Sequence, residues 1–419
     1  MNHDLVNLRR AIEALRAGVP NRDVVRQLPP EQKNIEEQFD ALLHATEAGW
    51  AEDKQAPGLL LEGDFGTGKS HWLEYLRHLA LEQHFVCSTI VLNKETPLHD
   101  LTKIYRAAVE SAVAPGKTGP ALEEIAHTYH TEQAPYYREL FEWVHQARGI
   151  DPRYAATLFL FERDPNEDLR QKILAEWTGY PMRVSDIRAA LRDIGEPKSY
   201  IIGAPQRGQI AQRFEFLSRF FRSVGYAGWV LLFDETEMVA KYSIRQRGKA
   251  YAHLAQLLGA CKNAMIPGLA SAFTITKDYT GQVLYGRKND LEMLPAKLKG
   301  TRDEEYQAAA EIGMKLIKSK GVELRPATRA QVEEIYQKVR TLYSAAYAWD
   351  APELEEKREY STSTGMRQHV RSWINTWDLR RLFGTDAELE YQTVQTSYEE
   401  DADLQVESAD IDEEPCITL

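Results

Sequence analysis

Eight consecutive residues, Gly63-Asp-Phe-Gly-Thr-Gly-Lys69-Ser70, match the spacing G-x-x-x-x-G-K-[ST] in full. Gly63, Gly66 and Gly68 let the backbone turn tightly enough for the N–H groups of the loop, through Asp64, Phe65 and Thr67, to face one phosphate. A helix directly after the loop adds its positive N-terminal dipole. In such a loop Lys69 reaches the β- and γ-phosphates of a nucleotide, and the Ser70 hydroxyl sits on Mg²⁺. Much further along, Trp229-Val-Leu-Leu-Phe233 runs into Asp234-Glu235. An apolar strand that pushes an acidic pair out at its carboxyl end delivers it to where open α/β sheets bind ligands. Asp234 is then the carboxylate of the magnesium shell. Glu235 is the base that polarises an attacking water, which points to hydrolysis rather than passive binding. A strand ending in Asp-Glu is common by itself, and its weight here comes from the glycine loop. The pair of motifs implies ATP and Mg²⁺, adenine being expected because no Asn-Lys-x-Asp guanine signature is present.

Several further residues are candidates with a plainer alternative beside them. Thr276, two residues past Thr274 at the end of the apolar run Leu269–Ile275, is placed to orient the water or sense the γ-phosphate, or is an ordinary strand-end threonine. Arg367 and Arg371 come after Gly365 on a helix that could fold onto the phosphates, where the fixed guanidinium fork suits phosphate oxygens; otherwise they are surface arginines. Arg245 and Arg247 could act on a neighbouring copy's nucleotide, which requires a homo-oligomer. Pro115-Gly-Lys-Thr118 mimics the loop but lacks an upstream strand and reads as a solvated turn. His127 and His130 lie three apart on an expected helix, with no ligands to complete a metal set, and Trp373 and Trp377 read as helix core.

These side chains need a scaffold. Gly58–Glu62 and Phe85–Leu92 are short apolar runs of the kind buried parallel strands present, with an amphipathic helix carrying Trp72, Leu73, Leu76, Leu79 and Ala80 between them. Strand–loop–helix–strand is the unit of an α/β sheet. Trp229–Phe233, Leu269–Ile275 and Val322–Arg325 are expected to complete the sheet, with a helix around Ala250–Leu258 between two of them. The spacing predicts helices over residues 1–50, the first on Leu5, Leu8, Ile12 and Leu15, a second capped by Asn21 and stopped near Pro29, and a third on Ile35, Phe39, Leu42 and Leu43. They are read as packing onto the α/β core downstream of them. Residues 51–327 form the core of a P-loop α/β fold, with a large helical insertion at about 98–220. Thr328 and Gln331 form a capping box for a helix to about Ala345, opening a helical lid over 328–385. Residues 386–419 read as a disordered, solubilising tail, with Leu404, Val406 and Ile411 allowing a docking peptide as the alternative.

That tail holds 12 of the 63 acidic residues and none of the 51 Lys and Arg, so residues 1–385 carry 51 of each. The net charge of −12 therefore belongs to the tail, and the neutral body gives no support to direct DNA binding. Cys87, Cys261 and Cys416 form no CxxC pair, no apolar stretch approaches a membrane span, and the N-terminus has no signal-peptide core. A reducing cytoplasm is the expected compartment.

Taken together, Arg9-Arg-Ala-Ile-Glu-Ala-Leu-Arg-Ala-Gly-Val-Pro20, the glycine loop, Gly225-Tyr-Ala-Gly-Trp-Val-Leu-Leu-Phe-Asp-Glu-Thr-Glu237 and Arg247-Gly-Lys-Ala-Tyr251 resemble the ATP-binding proteins of bacteriophage-exclusion (BREX) systems, especially the stand-alone BrxD type. The likeness runs over roughly residues 5–385, its specificity lying in the first and third of these segments. It implies an AAA+-like fold of the origin-recognition type and a role in antiviral defence, with a helicase and a DNA methyltransferase among the partners. Lys69, Ser70, Asp234 and Glu235 carry over as nucleotide, magnesium and catalytic residues. Arg367 carries over as the lid arginine, although Thr364-Gly-Met-Arg367 departs from the Pro-Arg often found there.

Overall fold

A computed structural model of the chain describes residues 3–18, 22–147, 149–196, 200–203, 210–261, 265–319, 321–354, 365–384 and 398–401. In chain order the elements begin with α1 (His3–Ala17), α2 (Arg22–Gln27), α3 (Lys33–Ala48), β1 (Leu59–Glu62), α4 (Lys69–Glu82) and β2 (Val86–Val91). Seven helices come next: α5 (Leu101–Glu110), α6 (Ala121–His127), α7 (Tyr137–Gln146), α8 (Pro152–Arg163), α9 (Glu167–Thr178), α10 (Val184–Asp193) and α11 (Ile210–Ser223). The chain then returns through β3 (Trp229–Asp234), α12 (Ile244–Leu257), β4 (Leu269–Ile275), α13 (Asp290–Leu298), α14 (Gln307–Ser319) and β5 (Gly321–Glu323). It ends in α15 (Arg329–Tyr347) and α16 (Met366–Phe383).

The five strands form one sheet in the order β2-β3-β4-β1-β5, every pairing parallel. β3 and β4 are buried along their whole length, which is why they read as unbroken apolar runs rather than alternating ones. Successive residues still point to opposite faces. Leu59, Leu61, Val230, Leu232, Ala270 and Ala272 pack with Ile35, Phe39 and Leu43 of α3 and Trp72, Leu73 and Leu76 of α4. On the other face Leu60, Trp229, Leu231 and Phe233 meet the helices α5–α14. Register opposes Glu62 to Ile275 and Val91 to Asp234, so the carboxyl ends of β1, β4, β3 and β2 form one edge.

The insertion is helical as expected. Its starts are written in its caps: Asp100 accepts from Thr102 and Lys103 N–H, Asp151 precedes Pro152, and Asn166 caps α9. Its core is aromatic, Trp177 packing against Phe161, Phe216 and Phe220. α6 stops at His127, so His130 is not on that helix. His127 is exposed, whereas His130 is buried.

The N-terminal segment divides. α3 lies on the sheet as expected, but Ala11 and Ile12 of α1 and Val24 of α2 share a core with Tyr336, Val339 and Tyr343 of α15 and with Trp373, Ile374 and Trp377 of α16. The lid is thus packed as a four-helix unit. Thr328 and Gln331 make the expected capping box at the head of α15. Asn21, Leu404, Val406, Ile411 and Cys416 lie outside the described residues, as does the tail apart from Tyr398–Asp401. Among the described residues no helix is long and apolar enough to cross a membrane.

Candidate functional site

β1 carries the chain to Gly63, whose N–H donates to the Ile275 carbonyl at 3.0 Å and pins the loop to the end of β4. The loop closes on itself through Thr67, whose N–H and Oγ1 donate to the Asp64 carbonyl at 3.3 and 2.8 Å. Gly66 and Gly68 have φ of +83° and +90°, a region that side chains with a Cβ rarely enter. Gly68 is the N-cap of α4, so the N–H groups of the helix's first turn open toward the loop. Lys69 starts that helix, and its Nζ donates to the Gly63 carbonyl at 3.1 Å and lies 4.7 Å from the centre of the exposed Phe65 ring.

The acidic strand arrives beside it. Ser70 Oγ donates to Asp234 Oδ2 at 2.6 Å across 164 residues of sequence. Asp234 is 7% exposed, and its Oδ1 accepts from Thr274 Oγ1 at 2.6 Å and from the Glu235 N–H at 2.9 Å. β4, lying between β1 and β3, supplies the threonine that orients the carboxylate. Glu235 comes next in the left-handed region, with φ of +63°, a conformation that costs a non-glycine residue about 1 kcal/mol or more. Its side chain is exposed at the sheet edge.

Glu237 is the residue that sequence reasoning missed. The strained Glu235 begins a tight turn, Thr236–Lys241, which brings Glu237 back to the cradle at 5% exposure. Its Oε1 is 3.4 Å from Lys69 Nζ, and neither of its buried oxygens has a hydrogen-bond partner. Burial pushes its carboxyl above the usual range, opposed by the Lys69 charge. The signal available was a second glutamate two residues past Glu235.

Thr276 is 2% exposed at the end of β4, its Oγ1 2.8 Å from the Tyr398 hydroxyl. α16 starts at the loop: a Cβ on Gly66 would stand 2.9 Å from the Gly365 Cα. The stems of Arg367 and Arg371 lie against Gly18, 3.0 and 3.4 Å from where its Cβ would be. Arg247 is not free to serve a neighbouring copy. It is 2% exposed, and its fork grips Asp290 through two bonds of 2.8 Å, while Arg245 Nε donates to Asp303 at 2.7 Å. Burial among carboxylates, invisible in the sequence, turns both arginines inward. Among the described residues no group of three or more His, Cys, Asp or Glu could hold a metal by itself.

A parallel five-stranded sheet, helices on both faces, and a glycine loop meeting an acidic strand at one edge define an α/β protein compatible with the P-loop nucleotide hydrolases. The sequence model of the family described as BREX system ATP-binding protein BrxC/D matches residues 7–134 and 203–370, and the chain belongs to that family. The matched segments hold the loop, the acidic strand and the start of α16; the unmatched stretch holds α7–α10. No curated protein matches the chain.

Proposed function

We propose that the chain is an ATP-hydrolysing switch or motor subunit of a BREX-type anti-phage complex in the bacterial cytoplasm, working with partners such as a helicase and a DNA methyltransferase. The observation that carries this reading is the 2.6 Å contact between Ser70 and Asp234. A hydroxyl and a carboxylate are the hard oxygen donors Mg²⁺ takes from a protein when phosphates and waters complete its shell. Ser70 and Asp234 would hold that ion, which supplies neutralising charge to the phosphates. The loop N–H groups receive the β-phosphate, and Lys69 leaves Glu237 for the β- and γ-oxygens. Glu235, exposed at the edge and aimed by its strained backbone, orients the water, with the Thr276 hydroxyl facing the γ-phosphate. Hydrolysis then moves the lid helices of an AAA+-like fold against the sheet, beginning where Gly365 abuts Gly66. Steady-state phosphate release tests this: Lys69→Ala should lose ATP binding, and Glu235→Gln should bind ATP without splitting it. Equal turnover in wild type and Glu235→Gln would reject the role given to Glu235.

A second reading is a nucleotide-gated scaffold that assembles on ATP and hardly hydrolyses it. It draws on the inward pairing of Arg245 and Arg247, since many such sites need an arginine from a neighbour to stabilise the transition state. Mass photometry with and without ATP, beside turnover, separates the two. ATP-dependent oligomers with no turnover, even with partners and DNA, favour the scaffold.

A further inference from the structure

The acidic tail returns to the core at Tyr398–Asp401, and each side chain of that segment meets a complementary group. The Tyr398 hydroxyl donates to Asp278 Oδ1 at 2.7 Å and lies 2.8 Å from Thr276 Oγ1, with its ring edge-on to Tyr279 at 6.3 Å. Glu400 meets the buried Arg247 at 2.8 Å and Lys288 at 3.8 Å. The Asp401 N–H donates to the Lys241 carbonyl at 3.0 Å, and its carboxylate is 3.8 Å from Lys94. Glu399 faces Arg287 at 3.6 Å, both well exposed, a pair of little energetic weight.

Placed on the sheet, the segment has a direction. Thr276 comes just after β4, Lys241 ends the turn after β3, and Lys94 lies just past β2, so the four residues cross the carboxyl ends of three neighbouring strands. That edge is where open parallel sheets take ligands, and the nucleotide loop occupies its β1 end. The tail fills the remainder. Glu237, the carboxylate facing Lys69, is close enough to contribute, after burial and the nearer Asp278, to pushing the Tyr398 phenol above its ordinary range.

The hydrogen bonds decide the consequence. A tyrosine has one hydroxyl proton, and against a carboxylate that proton goes to Asp278. The 2.8 Å contact with Thr276 then runs the other way, the threonine donating to the tyrosine oxygen. The oxygens of a γ-phosphate only accept, so Thr276 can serve the phosphate or Tyr398, and it has one proton to give. We propose that Tyr398–Asp401 is an intramolecular strap seated in a groove suited to an acidic, tyrosine-bearing peptide, and that docking of the strap and engagement of a γ-phosphate by Thr276 exclude one another. The exclusion rests on the reading that Thr276 faces the γ-phosphate; the docking does not.

The test uses the full chain with Lys241→Cys and Asp401→Cys in a Cys261→Ser, Cys416→Ser background, the buried Cys87 being kept, and a short bismaleimide as cross-linker. Cross-linking within one chain is expected without nucleotide and with ADP. A non-hydrolysable ATP analogue with Mg²⁺ should cut the yield severalfold. By reciprocity the cross-linked protein should bind the analogue more weakly by the same factor and ADP unchanged. Tyr398→Ala and Glu400→Lys should lower cross-linking and raise affinity for the analogue. Absence of a cross-link within the chain, equal yields with and without the analogue, or links running between two chains would each overturn the strap. Fluorescent-nucleotide titration separates the failures. Intact binding with an insensitive cross-link sinks the strap alone, whereas no nucleotide binding in any variant sinks the ATP site and the exclusion with it.

Discussion

At the scale of single residues, the cradle is balanced by a charge that nucleotide must displace. Lys69 is held between the Gly63 carbonyl and a carboxylate, Glu237, whose oxygens have no hydrogen-bond partner. An incoming triphosphate meets both a lysine already engaged and a negative group directed at the same spot. Interactions involving a charged group contribute about 1.5–3 kcal/mol each. Glu237→Gln keeps the shape and removes the charge, so it should tighten binding of ATP and ADP about tenfold, near the low end of that range. Titration with a fluorescent nucleotide at fixed ionic strength measures it. Weaker binding with an unchanged melting temperature would mean that Glu237 assists the phosphates instead of competing with them. Glu237 also marks what the residue-level reading could reach. The loop and the Asp-Glu pair were legible because their chemistry is local: glycine spacing, and an acidic pair at the end of an apolar run. Whether a glutamate two positions further returns to the site depends on a left-handed residue at Glu235 that no spacing announces.

At the scale of elements, the loop and the lid helix meet at two glycines. Gly66 needs its glycine twice over, for a φ of +83° and for the approach of Gly365. Gly365 has φ of −63° and ψ of 146°, which any residue adopts, so only the contact constrains it. Gly365→Ala therefore isolates the contact: its methyl would stand 2.9 Å from the Gly66 Cα with no backbone penalty. Overpacking of this kind costs about 1–3 kcal/mol. It should appear as weakened nucleotide affinity and slower phosphate release rather than as global unfolding, since the apolar cores lie elsewhere. An unaltered dissociation constant would show that the loop tolerates a lid set further off. The sequence foretold all five strands because both faces of a parallel sheet are covered, so its strands read as apolar runs. It did not foretell partner choice among helices. An amphipathic stripe such as Leu8, Ile12 and Leu15 says that one side of α1 is buried, and nothing in it says that the cover is Tyr336, Tyr343 and Trp377, more than 300 positions away.

At the scale of the molecule, that distant pairing governs how occupancy of the cradle could travel. α1, α2, α15 and α16 share one apolar core, tightened by Arg16, which bonds Asp378 at 2.7 Å and Tyr347 at 3.3 Å, and by Arg9, whose Nε donates to the Ala346 carbonyl at 3.0 Å. This unit touches the nucleotide machinery at two separate points. Gly365 abuts the loop, and His71, in the first turn of α4, bonds the Leu28 carbonyl at 2.7 Å. Two attachments to one rigid group make a change at the loop a displacement of the whole group rather than a flexing of α16. Hydrogen exchange followed by mass spectrometry should then show MgATP analogue altering α1 and α16 together, although they stand at opposite ends of the sequence, while the buried strands β3 and β4 stay protected throughout. Lys69→Ala should abolish the change in both helices. If exchange responds in α16 while α1 remains still, the four helices do not move as one body, and the lid is the C-terminal pair alone.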